Sequence, residues 1–345
     1  MRLSPLFLLA LTGSLLAGEA SYPLWDGSES VADYAKRVNL PPTQTLDLGN
    51  NVKLELVLIP AGKFNMGTSE PEKPAVGQAM VGMSGGVLLL LVLIVLIRAR
   101  LRRRRPQFSL ASLLVLTLVA SVGVWGGVRW NEALKHPDRF ICEHPTHAVT
   151  LTRPFYMGKY DVTQQQYEEL TGLTPSTFKG KDKPVDTVSW DDAHVFCKKL
   201  TDQTGQNVRL PTEAEWEYAC QAGSATTCNS GDNEAGLDKI AWYSANGNNT
   251  THPVGQKNAN NFGLYDLIGN LFQWCEDWYG EDYYGKSEAE NPQGPAQGYD
   301  RVMRGGSWDA GPLYCRPAYR GWNRPGYRRN GIGFRIVVTP APRTP

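Results

Sequence analysis

Cysteines and histidines are the residues of this sequence whose side chains could bind a metal or act as nucleophiles. The six cysteines are Cys142, Cys197, Cys220, Cys228, Cys275 and Cys315. His144 and His147 have the i, i+3 spacing of a metal-binding pair, but they directly precede a predicted strand at 149–151. A histidine pair in such a loop is usually solvated, and a metal site needs more donors than two. We therefore do not expect these histidines to form a metal site by themselves.

Two loops rich in aromatic and arginine residues, 270–284 and 314–327, could form a recognition surface. Side chains of these types dominate the surfaces by which proteins bind partners. The residues in and next to the loops are Trp274, Trp278, Tyr283, Tyr284, Arg320, Trp322, Arg324, Arg328 and Arg329. The alternative is that the aromatic residues fill the core of a fold that has few strands, and we expect this for more than half of them.

Three helices are predicted in the middle of the chain. Each begins with a capping box, in which a hydroxyl and a side chain three residues later satisfy free backbone donors. The boxes are Thr163 with Gln166, Ser189 with Asp192, and Thr212 with Glu215. Apolar residues at helical spacing predict that the second and third helices each pack one face against a core, which would make Cys197 and Cys220 buried thiols.

Strands are predicted on both sides of these helices. Residues 46–66 indicate two short strands around a Gly49-Asn50 turn, residues 149–160 indicate a second strand pair, and residues 333–338 indicate a final strand. Between Gly223 and that last strand the sequence has almost no sustained periodicity. Long loops in a compact domain tend to be functional, so this half of the chain is the expected place of a site.

The first 20 residues are typical of a signal peptide. A short basic start is followed by an apolar run too short to span a bilayer comfortably, and small residues lie at the expected cleavage position. The alternative is an uncleaved membrane anchor. Under either interpretation, the residues that follow are exported.

Residues 77–130 predict a transmembrane hairpin. The apolar runs 79–97 and 108–128 are each long enough to cross a hydrocarbon core of about 30 Å. The loop between them, 98–107, contains six arginines. Short loops this rich in arginine stay in the cytoplasm, so both flanking regions should lie outside it. We therefore expect a cell-membrane protein with its globular part on the periplasmic side; buried core helices are the alternative for the two runs.

The overall charge makes a nucleic-acid partner unexpected. The 345 residues include 35 basic and 34 acidic ones, so the formal net charge is only +1 and the chain has no strong positive charge to attract a polyanion. The predicted partners are instead the membrane and a protein, peptide or glycan ligand.

Several motifs resemble the formylglycine-generating enzyme (sulfatase-modifying factor) superfamily. In chain order they include Leu58-Ile59-Pro60-Ala61-Gly62, Val188-Ser189-Trp190, Arg209-Leu210-Pro211-Thr212-Glu213-Ala214-Glu215-Trp216, Gly263-Leu264-Tyr265-Asp266, Gly269-Asn270, Arg304-Gly305-Gly306-Ser307-Trp308 and Gly333-Phe334-Arg335. The resemblance implies a C-type-lectin-like, mixed α/β fold with little regular secondary structure. It would be formed by 21–76, as N-terminal lead and first strands, and by the main body 131–340, with the hairpin inserted between them.

The resemblance also implies a catalytic segment after Arg304. Enzymes of the family use two cysteines five residues apart, which bind Cu(I) so that oxygen can oxidise a substrate cysteine to formylglycine. Ser307 and Cys315 match the family's active-site residues, but Ala310 stands at the position of the first cysteine. Since Cu(I) prefers two soft ligands, we do not expect copper here.

Cys275 is a candidate for the missing sulfur, because the resemblance places its loop near this segment. The preferred alternative is a structural disulfide between Cys275 and Cys315, which an oxidising compartment would favour.

A calcium site is the second implication of the resemblance. Its ligands would be the side chains of Asp266 and Gln273 and the carbonyl groups of Gly269 and Leu271. Gln273 replaces a glutamate of the family, so calcium binding should be weaker. We expect a membrane-tethered, exported, non-catalytic recognition module; the alternative is a copper-dependent formylglycine-generating oxidase that acts on a sulfatase cysteine.

Overall fold

The computed structural model describes residues 21–68, 142–223 and 234–341. Its helices are α1 (Val31–Arg37), α2 (Gln164–Thr171), α3 (Trp190–Thr204), α4 (Glu213–Gln221) and α5 (Glu234–Ile240). The strands are β1 (Thr43–Gly49), β2 (Val52–Ile59), β3 (Gly62–Met66), β4 (His147–Leu151), β5 (Phe155–Gly158), β6 (Asn207–Arg209), β7 (Phe272–Trp278), β8 (Arg301–Arg304), β9 (Gly321–Asn323), β10 (Ile332–Gly333) and β11 (Val337–Thr339). Two short 3-10 helices lie at Tyr283–Lys286 and Pro312–Tyr314.

The strands form three sheets. The largest has the order β1-β2-β5-β11-β6, a second has the order β10-β7-β8-β9, and β3 pairs with β4. Most neighbouring strands are antiparallel, but β10 runs parallel to β7. The fold is therefore mixed α/β, as the sequence predicted.

The five-stranded sheet carries a core on each face. Along β2, Leu54, Leu56 and Leu58 belong to one apolar cluster, whereas Val57 and Ile59 belong to another. Successive side chains of a strand point to opposite faces, so this alternation shows that both faces of the sheet are covered. α3 packs into the first cluster through Ala193, Phe196, Cys197 and Leu200, and α4 contributes Trp216, Ala219 and Cys220 to the second.

The three predicted capping boxes are confirmed. Thr163, Ser189 and Thr212 each cap the following helix, and the side chain three residues later bonds back to the cap. The third helix differs from its prediction in burial: in α4, Glu213 and Glu217 are buried together with the apolar residues. A helix that is buried all round needs partners for these carboxylates, and the site provides them.

The predicted strands are partly corrected. β1 and β2 pair around the turn at Asn50, as expected. The two strands predicted within 149–160 both exist, but they do not pair with each other. β4 pairs with β3, whereas β5 lies in the larger sheet between β2 and β11. The predicted final strand is two short ones, β10 and β11. Local alternation of residues indicates a strand but does not select its neighbour.

The predicted signal peptide and both predicted membrane-spanning runs lie outside the described residues, as does Cys228. Within the parts of the chain that the structure describes, no helix is both long and apolar enough to cross a membrane.

Candidate functional site

The segment from Arg304 to Cys315 begins at the end of β8, passes close to Leu267, and folds back on itself. Gly305 and Gly306 have φ values of 100° and 78°, which side-chained residues rarely adopt. A Cβ atom at Gly306 would lie 2.6 Å from the Sγ of Cys315, and one at Gly305 would lie 2.4 Å from the carbonyl oxygen of Leu267. The two glycines therefore allow the segment to fold back onto its own cysteine.

A buried ion-pair network anchors the start of this segment to α4. Arg304 donates hydrogen bonds to Glu213 at 3.0 Å and to Glu217, and Arg320 donates to both oxygens of Glu213 at 2.7 and 2.9 Å. Burial alone would raise the pKa of Glu213, but Arg320 and Arg304 outweigh it and hold the pKa below its ordinary value. Sequence patterns gave no sign of this network, because its members lie on separate elements.

Ser307 and Asp309 form a hydrogen-bonded pair within the segment. The Ser307 hydroxyl donates a 2.6 Å hydrogen bond to Asp309, and Asp309 also pairs with Arg329. Ser307 is fully buried, so its hydroxyl is held in place by these contacts.

Cys315 lies beneath the segment as a free thiol. It is 1% exposed, and burial raises its pKa to about 12, with the backbone N–H of Ser307 acting in the opposite direction. The group is therefore a neutral thiol near pH 7. Cys275, on β7, is also fully buried and free, and burial raises its pKa well above the ordinary value.

The predicted disulfide between Cys275 and Cys315 is absent from the structure. The two cysteines have different surroundings: the Cys275 thiol faces the carbonyl of Gln273 at 4.0 Å within its own strand, whereas Cys315 lies against Gly306. Burial of the predicted thiols Cys197 and Cys220 on α3 and α4 is confirmed.

Residues 118–340 match the family model of the sulfatase-modifying factor enzyme 1-like domain. The chain belongs to this family.

Relatives with different names share this domain. The chain is 32% identical over 237 residues to chaperone protein LppX of Paenibacillus barcinonensis, covering 54% of this chain and 78% of LppX. It is 27% identical over 360 residues to formylglycine-generating enzyme of Bos taurus, covering 97% of this chain and 88% of the enzyme. Treponema denticola variable protein 1 has the same fold, with a TM-score of 0.62, 24% identity, and coverage of 87% of this chain and 100% of the other.

The residues of the sulfatase-modifying factor domain in this chain do not fit the Cu(I) ion of the family's oxidases. Ala310, 8% exposed, offers a methyl group where a sulfur donor is needed, and its carbonyl accepts a hydrogen bond from the Ser244 N–H. Cys315 supplies one sulfur donor to this segment, whereas Cu(I) prefers two.

The four predicted calcium ligands do not fit calcium as arranged here. The Gln273 side-chain oxygen accepts 2.7 Å hydrogen bonds from the indole of Trp216 and the guanidinium of Arg335. The Gln273 amide nitrogen donates to the carbonyl oxygens of Asp266, at 2.7 Å, and Leu267. With donors facing one end of the amide and acceptors facing the other, its orientation is fixed, and its oxygen is not free for a cation.

Two of the other predicted ligands, Asp266 and Gly269, also accept hydrogen bonds from the protein. The Asp266 carboxylate accepts a 2.7 Å hydrogen bond from the Gly255 N–H, and burial raises its pKa to about 6. The Gly269 carbonyl accepts from the Leu271 N–H. Among the described residues, no three or more His, Cys, Asp or Glu side chains group around a point that could hold a metal ion.

The aromatic and arginine residues of the two predicted loops divide between core and surface. Trp274, Tyr284 and Arg320 are buried. Nearer the surface, the Arg301 guanidinium lies 3.8 Å from the ring centre of Trp190 and 3.4 Å from that of Trp278, and Tyr279 stacks on Trp322. Arg324, Arg328 and Arg329 each pair with an aspartate. The core interpretation is therefore confirmed for the buried members of the set, whereas a recognition role for the members nearer the surface stays a prediction.

No further donors among residues 21–68, 142–223 and 234–341 join the histidine pair to complete a metal site. His147 lies on β4, where its ring meets the edge of Tyr284 at 4.8 Å and its Nδ1 is 3.1 Å from the Pro145 carbonyl.

Proposed function

We propose that this chain is a non-catalytic recognition module of the sulfatase-modifying factor family, exported and tethered to the cell membrane. The observation that carries the proposal is Ala310. A Cu(I) oxidase site built on this segment needs two sulfur ligands, and a methyl group stands in the place of one.

The family alone does not decide between binding and catalysis. The two sequence relatives are named as a chaperone and as an enzyme. The domain is therefore compatible with either class of function, and residue-level chemistry has to separate them.

The ligand would be a protein, peptide or glycan that binds outside the cytoplasm. The surface parts of the loops after β7 and after Cys315 offer stacked aromatic rings and arginines for this purpose. The tether is proposed from the apolar runs 79–97 and 108–128 and the arginine-rich loop between them.

The test is to purify the full chain in detergent, load it with Cu(I), and incubate it with oxygen and a cysteine-containing peptide. We expect no stoichiometric copper and no aldehyde product. One copper per chain together with aldehyde formation would reject the proposal and support the oxidase alternative.

A further inference from the structure

A cluster of donor groups lies next to the Arg304–Cys315 segment, in the loop that follows α5. The ring of Trp242 lies between two side chains: the Nζ of Lys257 is 3.9 Å from the ring centre, and the ring of His252 stacks on it at 3.7 Å with an interplanar angle of 12°. Both neighbours are too close to share one face, so they take opposite faces of the indole. The arrangement holds a positive charge beside the ring.

The lysines of this cluster are paired only with uncharged oxygens. Lys257 donates to the backbone carbonyl of Asp238 at 2.6 Å, and Lys183 donates to the hydroxyl of Thr250 at 3.0 Å. Neither lysine forms an ion pair with a carboxylate of residues 21–68, 142–223 or 234–341. Both lysines also lower the pKa of His252, although burial is the larger cause. Their charges therefore remain available to an anion.

Two polar groups in the same loop have no hydrogen-bond partner among the described residues. They are the buried indole Nε1 of Trp242 and the buried hydroxyl of Thr251. Buried polar groups are nearly always satisfied, by protein or by something bound. The indole N–H beside Lys257 therefore has room for an acceptor that the described residues do not supply.

The cluster borders the segment that the family uses as its site. A Cβ atom at Gly247 would lie 2.3 Å from the carbonyl oxygen of Trp308, and His252 contacts the Gly247 carbonyl at 3.0 Å. On the other side, Phe178 meets Trp308 edge to face at 5.3 Å, and Lys183 lies 5.8 Å from the ring centre of Phe178. The donor groups and the aromatic rings of Phe178 and Trp308 are thus linked by a chain of direct contacts.

We propose that Trp242, His252, Lys257 and Lys183 form a binding site for the carboxylates of an acidic peptide segment. Lysine ammonium and indole N–H groups supply donors to the carboxylate, while the Phe178 and Trp308 rings can contact the apolar part of the peptide. These rings favour a peptide over a free inorganic anion. The inference deepens the proposed recognition function, because it names the chemistry of the partner.

The experiment measures binding of a fluorescein-labelled Glu-Gly repeat peptide to the full chain by anisotropy at low salt. A Gln-Gly repeat peptide and inorganic phosphate are the comparison ligands. The variants are Lys183→Gln, Lys257→Gln and Trp242→Phe, which remove a charge or the indole donor but keep similar bulk. Lys181→Gln, an exposed lysine two residues from Lys183, is the matched control. Thermal unfolding of each variant confirms that it is folded.

We expect the Glu-Gly peptide to bind and the Gln-Gly peptide not to bind. Each lysine variant should weaken binding about tenfold, as expected for loss of one charge-assisted hydrogen bond, whereas Lys181→Gln should change it little. Trp242→Phe should also weaken binding. Equal affinity for both peptides, equal loss in the control, or binding of phosphate without the peptide would overturn the proposal. None of these results touches the copper and aldehyde tests, so the two proposals can fail separately.

Discussion

The side-chain oxygen of Gln273 accepts a 2.7 Å hydrogen bond from the guanidinium Nε of Arg335. Arg335 continues to the Gly158 carbonyl at 2.9 Å and to the Asp161 carboxylate at 3.0 Å, and all of these side chains are buried. A positive charge is thus already present at the place where the family resemblance implied calcium. The guanidinium of Arg335 thus supplies a positive charge that a calcium ion would otherwise bring.

This arrangement predicts that stability does not depend on calcium. The melting temperature of the wild-type chain should be the same in EDTA and in millimolar calcium. Gln273→Glu would turn a donor into an acceptor facing the Asp266 and Leu267 carbonyls, which should cost about 1–3 kcal/mol in EDTA. Calcium should recover part of that loss, since the carboxylate restores a hard ligand.

Gln256→Glu, at an exposed position, is the control for the added charge in the same thermal unfolding experiment. A wild-type melting temperature that rises with calcium would show that the hydrogen-bonded arrangement opens to admit the ion.

Replacing Ala310 by cysteine should create copper affinity. Ala310→Cys places a second sulfur five residues before Cys315, and we expect the variant to retain Cu(I) against a chelator when the wild type does not. Ala289→Cys, which adds an exposed thiol elsewhere, controls for non-specific binding. Copper per chain is measured by elemental analysis. If the wild type and Ala310→Cys retain equal copper, Ala310 is not what prevents binding.

The buried network beneath the segment should be sensitive to loss of one charge. Glu213→Gln leaves Arg304 and Arg320 without full compensation, and we expect the free energy of unfolding to fall by about 3–5 kcal/mol. Glu281→Gln removes an exposed carboxylate and should change it little. Urea unfolding followed by circular dichroism gives both values. A loss equal to that of the control would mean that Glu213 stabilises nothing.

The ion pair between Arg328 and Asp192 should raise the free energy of unfolding at neutral pH but not in acid. Two hydrogen bonds, of 2.7 and 2.8 Å, join the side chains. Burial alone would raise the pKa of Asp192, but Arg328 and the Ser189 N–H outweigh it, so the pKa is below 3.8 in the folded chain. The contribution is full above the ordinary pKa and lost as the pH falls through the lower, folded value.

Arg328→Gln should therefore lower the free energy of unfolding by less than about 1 kcal/mol at pH 7, because the arginine is half exposed and solvent screens the pair. The difference from wild type should vanish below the folded pKa of Asp192. Lys179→Gln, at a surface lysine that forms no ion pair with the described carboxylates, should show no such pH dependence in the same denaturant titrations.

Cys275 and Cys315 should behave as protected free thiols. In non-reducing buffer, iodoacetamide should label neither residue in the folded chain and both after unfolding, because each is buried and unbridged. Peptide mass spectrometry identifies the labelled positions. Recovery of a peptide pair linked through these two cysteines would show that the disulfide forms after all.

Local sequence signals predicted the helix starts well. Each capping box is a contact between residues three positions apart. The starts of the helices after Thr163, Ser189 and Thr212 can therefore be predicted from the local sequence. The fold class and the segment after Arg304 were implied by the family resemblance, whereas the pairing of β4 with β3 could not be inferred from the sequence.

What the sequence by itself determined is the type of residue at each key position: an alanine where the family resemblance implies a copper-binding sulfur, and a glutamine where it implies a calcium-binding carboxylate. Tertiary structure decided which partners those residues meet. It placed Arg335 against Gln273. It also left Cys275 and Cys315 as unbridged thiols in different surroundings, and it put the Trp242 ring in contact with both Lys257 and His252. The physical reason is that such contacts join segments far apart in the chain, and no periodicity or spacing encodes them.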